Sequence, residues 1–270
     1  MKNFKISQIQ FEAKKLPIQN ANILESYFNK SLKFKPHIIT TPECSNIITN
    51  SNMHLIKYAN YQLDCPVLKM AKKFAKQNKV YINIGSLLLK QKNNKKLINR
   101  SFIINKIGKI VKYYDKIHMF DVKINSKEKY SESSSFSSGK KISFFSFRNI
   151  KIGLTICYDL RFPYLFRFLA QKGCHIILLP AAFTIPTGKA HWETLLKARA
   201  IENSNFVVAT GMCGNHHENR KTYGHSMIIN PWGIILNKLK NEQNILNTTI
   251  NINEVNKVRK KIPFKFNDKY

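Results

Sequence analysis

A chain of 270 residues with 43% hydrophobic residues, 10 Gly and 9 Pro is long enough to bury a substantial core and too poor in Gly and Pro for a fibrous or disordered protein. No apolar run approaches the roughly 18 to 20 residues that a membrane-crossing helix needs, and the residues from Met1-Lys2-Asn3-Phe4 onward lack the apolar core and cleavage site of a signal peptide, so the expectation is a cytoplasmic protein with no membrane partner. The formal charge of +30 speaks to solubility and non-specific association rather than to fold. Its lysines are strewn among Asn and Ile through every segment, as an AT-rich coding composition produces, whereas nucleic-acid readout uses Arg forks gathered on one face.

The first elements alternate strand and helix. Residues 4–11 alternate as a half-buried strand, and residues 22–32 place Ile23, Tyr27, Phe28 and Leu32 at helical spacing. A second strand, residues 37–40, runs into Pro42-Glu43. Residues 64–78 form a helix with Asp64 as N-cap and Pro66 in its first turn, followed by a strand at 80–85. Residues 100–114 form a hairpin turning at 106–108, and the serine-rich residues 131–138 read as an ordered loop or a strand edge.

Strands at 142–147 and 151–156 follow, then a helix that begins near Asp159 and stops at Gly173. Residues 174–179 are continuously apolar, as in a fully buried strand. A helix over 189–203, a strand at 206–210 and two strands joined through Asn230-Pro231-Trp232-Gly233 complete the chain. The alternation predicts a layered α/β protein, and the absence of a Pro/Gly-rich linker predicts one domain over residues 1–270.

Three places carry chemistry. Cys157 follows a strand at once and Tyr158-Asp159-Leu160-Arg161-Phe162-Pro163 opens a helix, an elbow where a helix N-terminus lowers a thiol pKa and free N–H groups hold an oxyanion. Spacing alone leaves a second reading open, a small buried residue at a strand end. Glu43 ends a strand and can project into a crevice, where desolvation raises a carboxyl pKa toward that of a base; a solvated loop carboxylate competes. Lys116 lies between Asp115 and Asp121 in a chain with only 15 Asp plus Glu, which marks local charge matching. The five cysteines, odd in number and without a CxxC pair, are expected to be reduced thiols.

Pro42-Glu43, the stretch Tyr114-Asp115-Lys116-Ile117-His118-Met119-Phe120-Asp121 and Cys157-Tyr158-Asp159-Leu160-Arg161-Phe162-Pro163 resemble, in order, the three signature segments of the nitrilase superfamily of carbon-nitrogen hydrolases. Residues 190–202 and 213–227, with Asn230-Pro231-Trp232-Gly233, resemble its Nit branch, the deaminated glutathione amidases. The resemblance implies a four-layer α-β-β-α sandwich that dimerises and a Glu43-Lys116-Cys157 triad with Glu132 as a second glutamate. It also implies an oxyanion held by Lys116 and the Tyr158 N–H, a thioester intermediate, and no metal or cofactor. The implied substrate is a small carboxamide of the deaminated-glutathione type; 2-oxoglutaramate, an N-carbamoyl compound, or an inactive nucleic-acid-binding relative are the alternatives.

The chain departs from the family pattern at Tyr164, where an acid usually follows Phe162-Pro163. Cys44, a second thiol beside Glu43, reads as packing, with an oxidation liability as the alternative. Substrate contacts are expected from Phe183, His191, His217 and Arg220, the last because Arg binds carboxylates in bidentate fashion. His118, His175 and His225 read as hydrogen-bonded residues at strands, and Arg199 with Glu202 as a structural pair.

Overall fold

The computed structural model describes residues 2–124, 126 and 129–264; residues 265–270 of the expected single domain lie outside the described residues. Two sheets form the centre. The first joins β1 (Asn3–Gln10), β2 (Ile38–Thr40), β3 (Asn60–Tyr61), β4 (Tyr81–Gln91), β5 (Asn94–Ile104), β6 (Ile110–Asp115) and β17 (Asn244–Asn251), ordered β17-β1-β2-β4-β5-β6 with β3 beside β4. Two short hairpins stand apart, β7 (Asp121–Lys123) with β8 (Lys129–Ser131), and β13 (Cys213–Asn215) with β14 (Lys221–Tyr223). The second sheet joins β9 (Ser143–Phe147), β10 (Ile150–Leu154), β11 (Ile176–Ala181), β12 (Phe206–Gly211), β15 (Met227–Ile229) and β16 (Ile235–Lys238), ordered β16-β15-β12-β11-β10-β9.

The sheets repeat one pairing scheme. From β17 in the first and from β9 in the second, the successive pairings are antiparallel, parallel, parallel, antiparallel and antiparallel. Each therefore has parallel strands at its centre, and the outer strands take the hairpins that antiparallel pairing permits.

Period-2 alternation decides the layers. In β1, Phe4 and Ile6 join the core between the sheets with Ile152, Leu178 and Val208, while Ile9 joins the core beneath the helices with Leu24 and Phe74. Helices α1 (Pro17–Ser31) and α3 (Pro66–Asn78) cover the outer face of the first sheet, with α2 (Asn52–Tyr58) between them in sequence. Helices α5 (Pro163–Gln171) and α6 (Ile185–Asn203) cover the second sheet, and α7 (Asn253–Lys261) follows β17. The order helix, sheet, sheet, helix is the expected α-β-β-α sandwich, and no described helix is long and apolar enough to cross a membrane.

Some boundaries differ from the sequence reading for local reasons. Helix α1 starts five residues early because Pro17 at its first turn is preset for helical φ. The N-cap of α3 is Cys65, which puts Pro66 at N1 and leaves Asp64 outside. Helix α6 begins at Ile185 because the Thr184 side chain accepts from the Thr187 N–H. The serine-rich segment includes a single helical turn, α4 (Glu132–Ser135). Beyond β10 the chain enters a 3-10 turn, Cys157–Arg161, before Pro163 starts α5, so the elbow is two elements rather than one helix.

Candidate active site

Glu43, Cys157, Lys116 and Glu132 come from four separate segments. Glu43 lies past β2 and Cys157 past β10, at the carboxyl ends of central strands where α/β sheets present ligand sites. Pro42 ends β2 because it has no N–H to give the ladder, and a Cβ on Gly85 would lie 1.9 Å from the Thr41 carbonyl oxygen and 2.5 Å from that of Pro42. Only glycine admits the strand that brings Glu43 inward.

Lys116 follows β6, and its N–H donates to the Asn99 carbonyl at 2.9 Å. Its Nζ donates to Glu43 Oε1 at 2.9 Å and to Glu132 at 2.9 and 2.8 Å. Glu43 Oε1 also accepts from Asn99 Nδ2 at 2.9 Å, and Oε2 from the Ala182 N–H at 2.9 Å. The Cys157 thiol hydrogen-bonds the same carboxylate. Glu132 Oε2 further accepts from the Phe120 N–H at 2.7 Å.

Three of these groups are nearly sealed from water: Glu43 is 3%, Lys116 2% and Cys157 8% exposed. Buried charges need partners, and one ammonium between two carboxylates supplies them. Burial raises the Glu43 pKa, but the Lys116 ammonium and the hydrogen bonds from Cys157 and Ala182 outweigh it, so the carboxyl sits below its ordinary 4.5. The desolvation-raised base expected from sequence is thus reversed by Lys116. The Lys116 pKa is pushed down by burial but up, by more, by Glu132 and Glu43, and lies well above 10.5.

The thiol also departs from expectation. Burial and the Glu43 carboxylate push Cys157 well above 9 despite Lys116. A single 3-10 turn offers little of the macrodipole that would lower it. Carboxylate beside neutral thiol is therefore the resting state, and the arrangement suits proton transfer from sulfur to Glu43 as sulfur attacks. Cys157 and Tyr158 open that turn, whose first N–H groups have no intrahelical acceptor.

A cavity of about 540 Å³ opens over this cluster, lined among others by Phe120, Tyr130, Tyr158, Phe183, Thr187 and Arg220. Arg220 stacks over the Tyr130 ring, its guanidinium carbon 4.8 Å from the centroid, and donates to the Tyr130 hydroxyl at 2.5 Å and the Ala182 carbonyl at 3.1 Å. Lys129 also lines the cavity, so an anionic group there meets two cations besides Lys116.

Phe183, Arg220 and Tyr158 line the cavity, and His191 and His217 do not. His191 is exposed on α6 with its Nδ1 3.1 Å from Arg161 Nη2. The His217 ring packs 4.3 Å from that of His54 and lies 3.5 Å from Glu218. Trp192 is buried and donates to the His225 carbonyl at 2.9 Å, and Glu193 pairs with Lys197 and Lys238. Cys44 is buried beside Glu43 and lines the cavity. The Arg199–Glu202 pair forms at 3.1 Å.

Asn99, Tyr130 and the Ala182 N–H escaped sequence reasoning. Asn99 had a usable signal: continuing the hairpin register Arg100↔Asp115 by one residue sets it opposite Lys116. Ala182 acts through its backbone and has no side-chain signature.

A model of the carbon-nitrogen hydrolase family matches residues 13–260. The chain belongs to that family. This hydrolase is 38% identical over 247 residues to the deaminated glutathione amidase of Dictyostelium discoideum, covering 89% of this chain and 84% of that one. It is 31% identical over 265 residues to the omega-amidase NIT2 of Mus musculus, covering 97% and 94%. Among solved structures, the NitFhit protein of C. elegans superposes with a TM-score of 0.93 at 29% identity, over all of this chain and 66% of that one. The hydrolase therefore acts on carbon-nitrogen bonds.

Proposed function

We propose that this hydrolase cleaves deaminated glutathione through a Cys157 thioester. The single observation that carries the mechanism is the Lys116 ammonium held between Glu43 and Glu132 beside the Cys157 thiol. Glu43 takes the thiol proton as Cys157 Sγ attacks the amide carbon. The oxyanion is met by Lys116 and the Tyr158 N–H, donors in a dry site that need no reorganisation as charge develops. Protonated Glu43 then gives its proton to the departing amine; as carboxylate it draws a proton from water, which attacks the thioester carbon, and it passes that proton to the departing Cys157 sulfur, restoring carboxylate and thiol. Glu132 keeps Lys116 charged and aimed, and no metal or cofactor enters any step.

The substrate assignment is supported by the identity to an amidase of that name and by a cavity within the roughly 300–1,000 Å³ that drug-sized ligands occupy. Phe183 supplies an apolar wall, and Arg220 with Lys129 suits a substrate carboxylate. The smaller 2-oxoglutaramate is the second reading, favoured by the similarity to the omega-amidase. Amide hydrolysis of either compound liberates 2-oxoglutarate. The test is 2-oxoglutarate release from each, with Cys157→Ala as control: the reading stands if the first substrate has the higher kcat/KM and the control is inert. Equal inertness of wild type and Cys157→Ala, with salt-sensitive RNA binding instead, would refute it.

We further propose one domain over residues 1–270 that works as a cytoplasmic homodimer. Support comes from the five free cysteines and from exposed Tyr164, Phe168 and Ile201 on the helices that cover the second sheet, with exposed Trp232 in the turn between β15 and β16. Light scattering at micromolar concentration reads the mass, and a monomer refutes the dimer.

A further inference from the structure

Cys157 has φ 47°, a left-handed conformation that a side-chain-bearing residue keeps only when its surroundings over-determine it. The residue that over-determines it is Asp159, which is fully buried. Asp159 Oδ2 accepts from the N–H of Ile156, the residue before Cys157, at 2.8 Å, and from the Tyr114 hydroxyl at 2.7 Å. Asp159 Oδ1 accepts from the His118 N–H at 3.2 Å and lies 2.6 Å from His118 Nδ1. A carboxylate offers about four lone-pair positions, and these partners fill them.

Tyr114 and His118 stand two residues either side of Lys116. One buried side chain thus ties the backbone that carries the thiol to the backbone that carries the ammonium. The tie is stiff. The Tyr114 hydroxyl also accepts from the Ile117 N–H at 3.3 Å, and the His118 ring stacks on Phe162 with centroids 3.6 Å apart and planes 7° from parallel. Arg199 Nε, reaching from α6, donates to the Leu160 carbonyl at 2.9 Å and holds the same turn from its other side. Burial and the Asp159 carboxylate keep the Tyr114 hydroxyl protonated, so it remains a donor.

We propose that Asp159 is a positioning residue for the hydrolysis: through Tyr114 and His118 it sets the separation of Cys157 and Lys116, so that the carbonyl oxyanion formed when sulfur adds to the amide carbon falls between the ammonium and the Tyr158 N–H. Asp159 touches no reacting atom. Its effect is on the geometry of groups that do, where a misplacement of about 1 Å costs on the order of 100-fold in rate. The inference rests on the amidase reading for its kinetic readout alone.

Four variants separate positioning from folding. Tyr114→Phe deletes one hydroxyl, and His118→Phe keeps a ring on Phe162 while losing the donor. His118→Asn restores a donor near the Nδ1 position, and Asp159→Asn replaces one acceptor by a donor that faces the His118 N–H. In Tyr114→Phe and His118→Phe, kcat is expected to fall about 10- to 100-fold with KM within about twofold and Tm within a few degrees; His118→Asn recovers most of the loss. Alkylation of Cys157 by iodoacetamide, read on its peptide by mass spectrometry, slows in the same order because the thiol leaves its bond to Glu43. If Asp159→Asn fails to fold, Tyr114→Phe still decides. The proposal is overturned if kcat is unchanged, if KM rises instead, if activity falls only with the folded fraction, or if His118→Phe matches His118→Asn. Should wild type turn over no amide, the alkylation series still tests the positioning, so the two failures are told apart.

Discussion

Replacing Lys116 with methionine keeps the length of the side chain and deletes its charge and three donors. Two consequences follow from the site. An oxyanion donor disappears, which typically costs about 2.7–4 kcal/mol in the barrier, or roughly 100- to 1,000-fold in kcat. Glu43 and Glu132, which shared the ammonium at 2.9 and 2.8 Å, are also left without it, and breaking a buried pair by removing one partner costs about 3–5 kcal/mol of stability. The pH dependence gives the sign. In wild type the lowered Glu43 pKa contributes stability above its ordinary 4.5, lost as pH falls through the lower folded value. The raised Lys116 pKa contributes stability below 10.5, lost as pH rises through the higher folded value. Both contributions are present from about pH 5 to 10. Without Lys116, burial is left to raise Glu43, so its contribution in the variant is present at low pH and lost as pH rises. Urea unfolding of wild type and Lys116→Met at pH 5 and pH 8 should show a destabilisation that is larger at pH 8. A variant equally stable at both, or one whose kcat stays within threefold of wild type, would refute the shared-ammonium account.

The kcat/KM profile of the wild type should be flat across neutral pH, with its acid limb below 4.5 because Glu43 must be ionised to take the thiol proton and its pKa is lowered; an acid limb near pH 6 would contradict the ammonium's dominance over burial. Arg220→Ala should reduce kcat/KM for a carboxylate-bearing amide by roughly 10- to 100-fold, the worth of a hydrogen bond to a charged group, and leave a neutral amide such as propionamide unaffected. Glu43→Gln should lower kcat about 100- to 10,000-fold while thermal unfolding stays cooperative. Gly85→Ala forces the Thr41–Pro42 backbone away and should cost about 1–3 kcal/mol by overpacking, with lost activity as Glu43 shifts; denaturation and turnover read the two effects.

Local signals located most elements because each rests on a local cause: alternation along β1, Pro at N1 of α1 and α3, a hairpin turn at Asn105–Lys109. Glu43, Lys116 and Cys157 were legible only as an ordered set, for each alone had a bland reading. Charge state was not legible. The opposite shifts of Glu43 and Cys157 depend on how near Lys116 lies and on burial, and those are properties of packed neighbours. His191 misled because its neighbours in sequence, Phe183 and Thr187, do line the cavity, while His191, one helical turn past Thr187 on α6, lies beyond the cavity and is exposed.

By itself the sequence determined the α/β alternation, the family motifs and the four candidate side chains that the structure brings together, since these depend on residue type and order. The tertiary structure decided that two sheets with one pairing scheme bring the ends of β2, β6 and β10 together, and that Asn99 and the Ala182 N–H complete the shell around Glu43. It also decided that Arg220 faces the cavity where His191 and His217 do not. Those outcomes depend on contacts between residues far apart in the chain, where register and burial set geometry and protonation and no local pattern reports them.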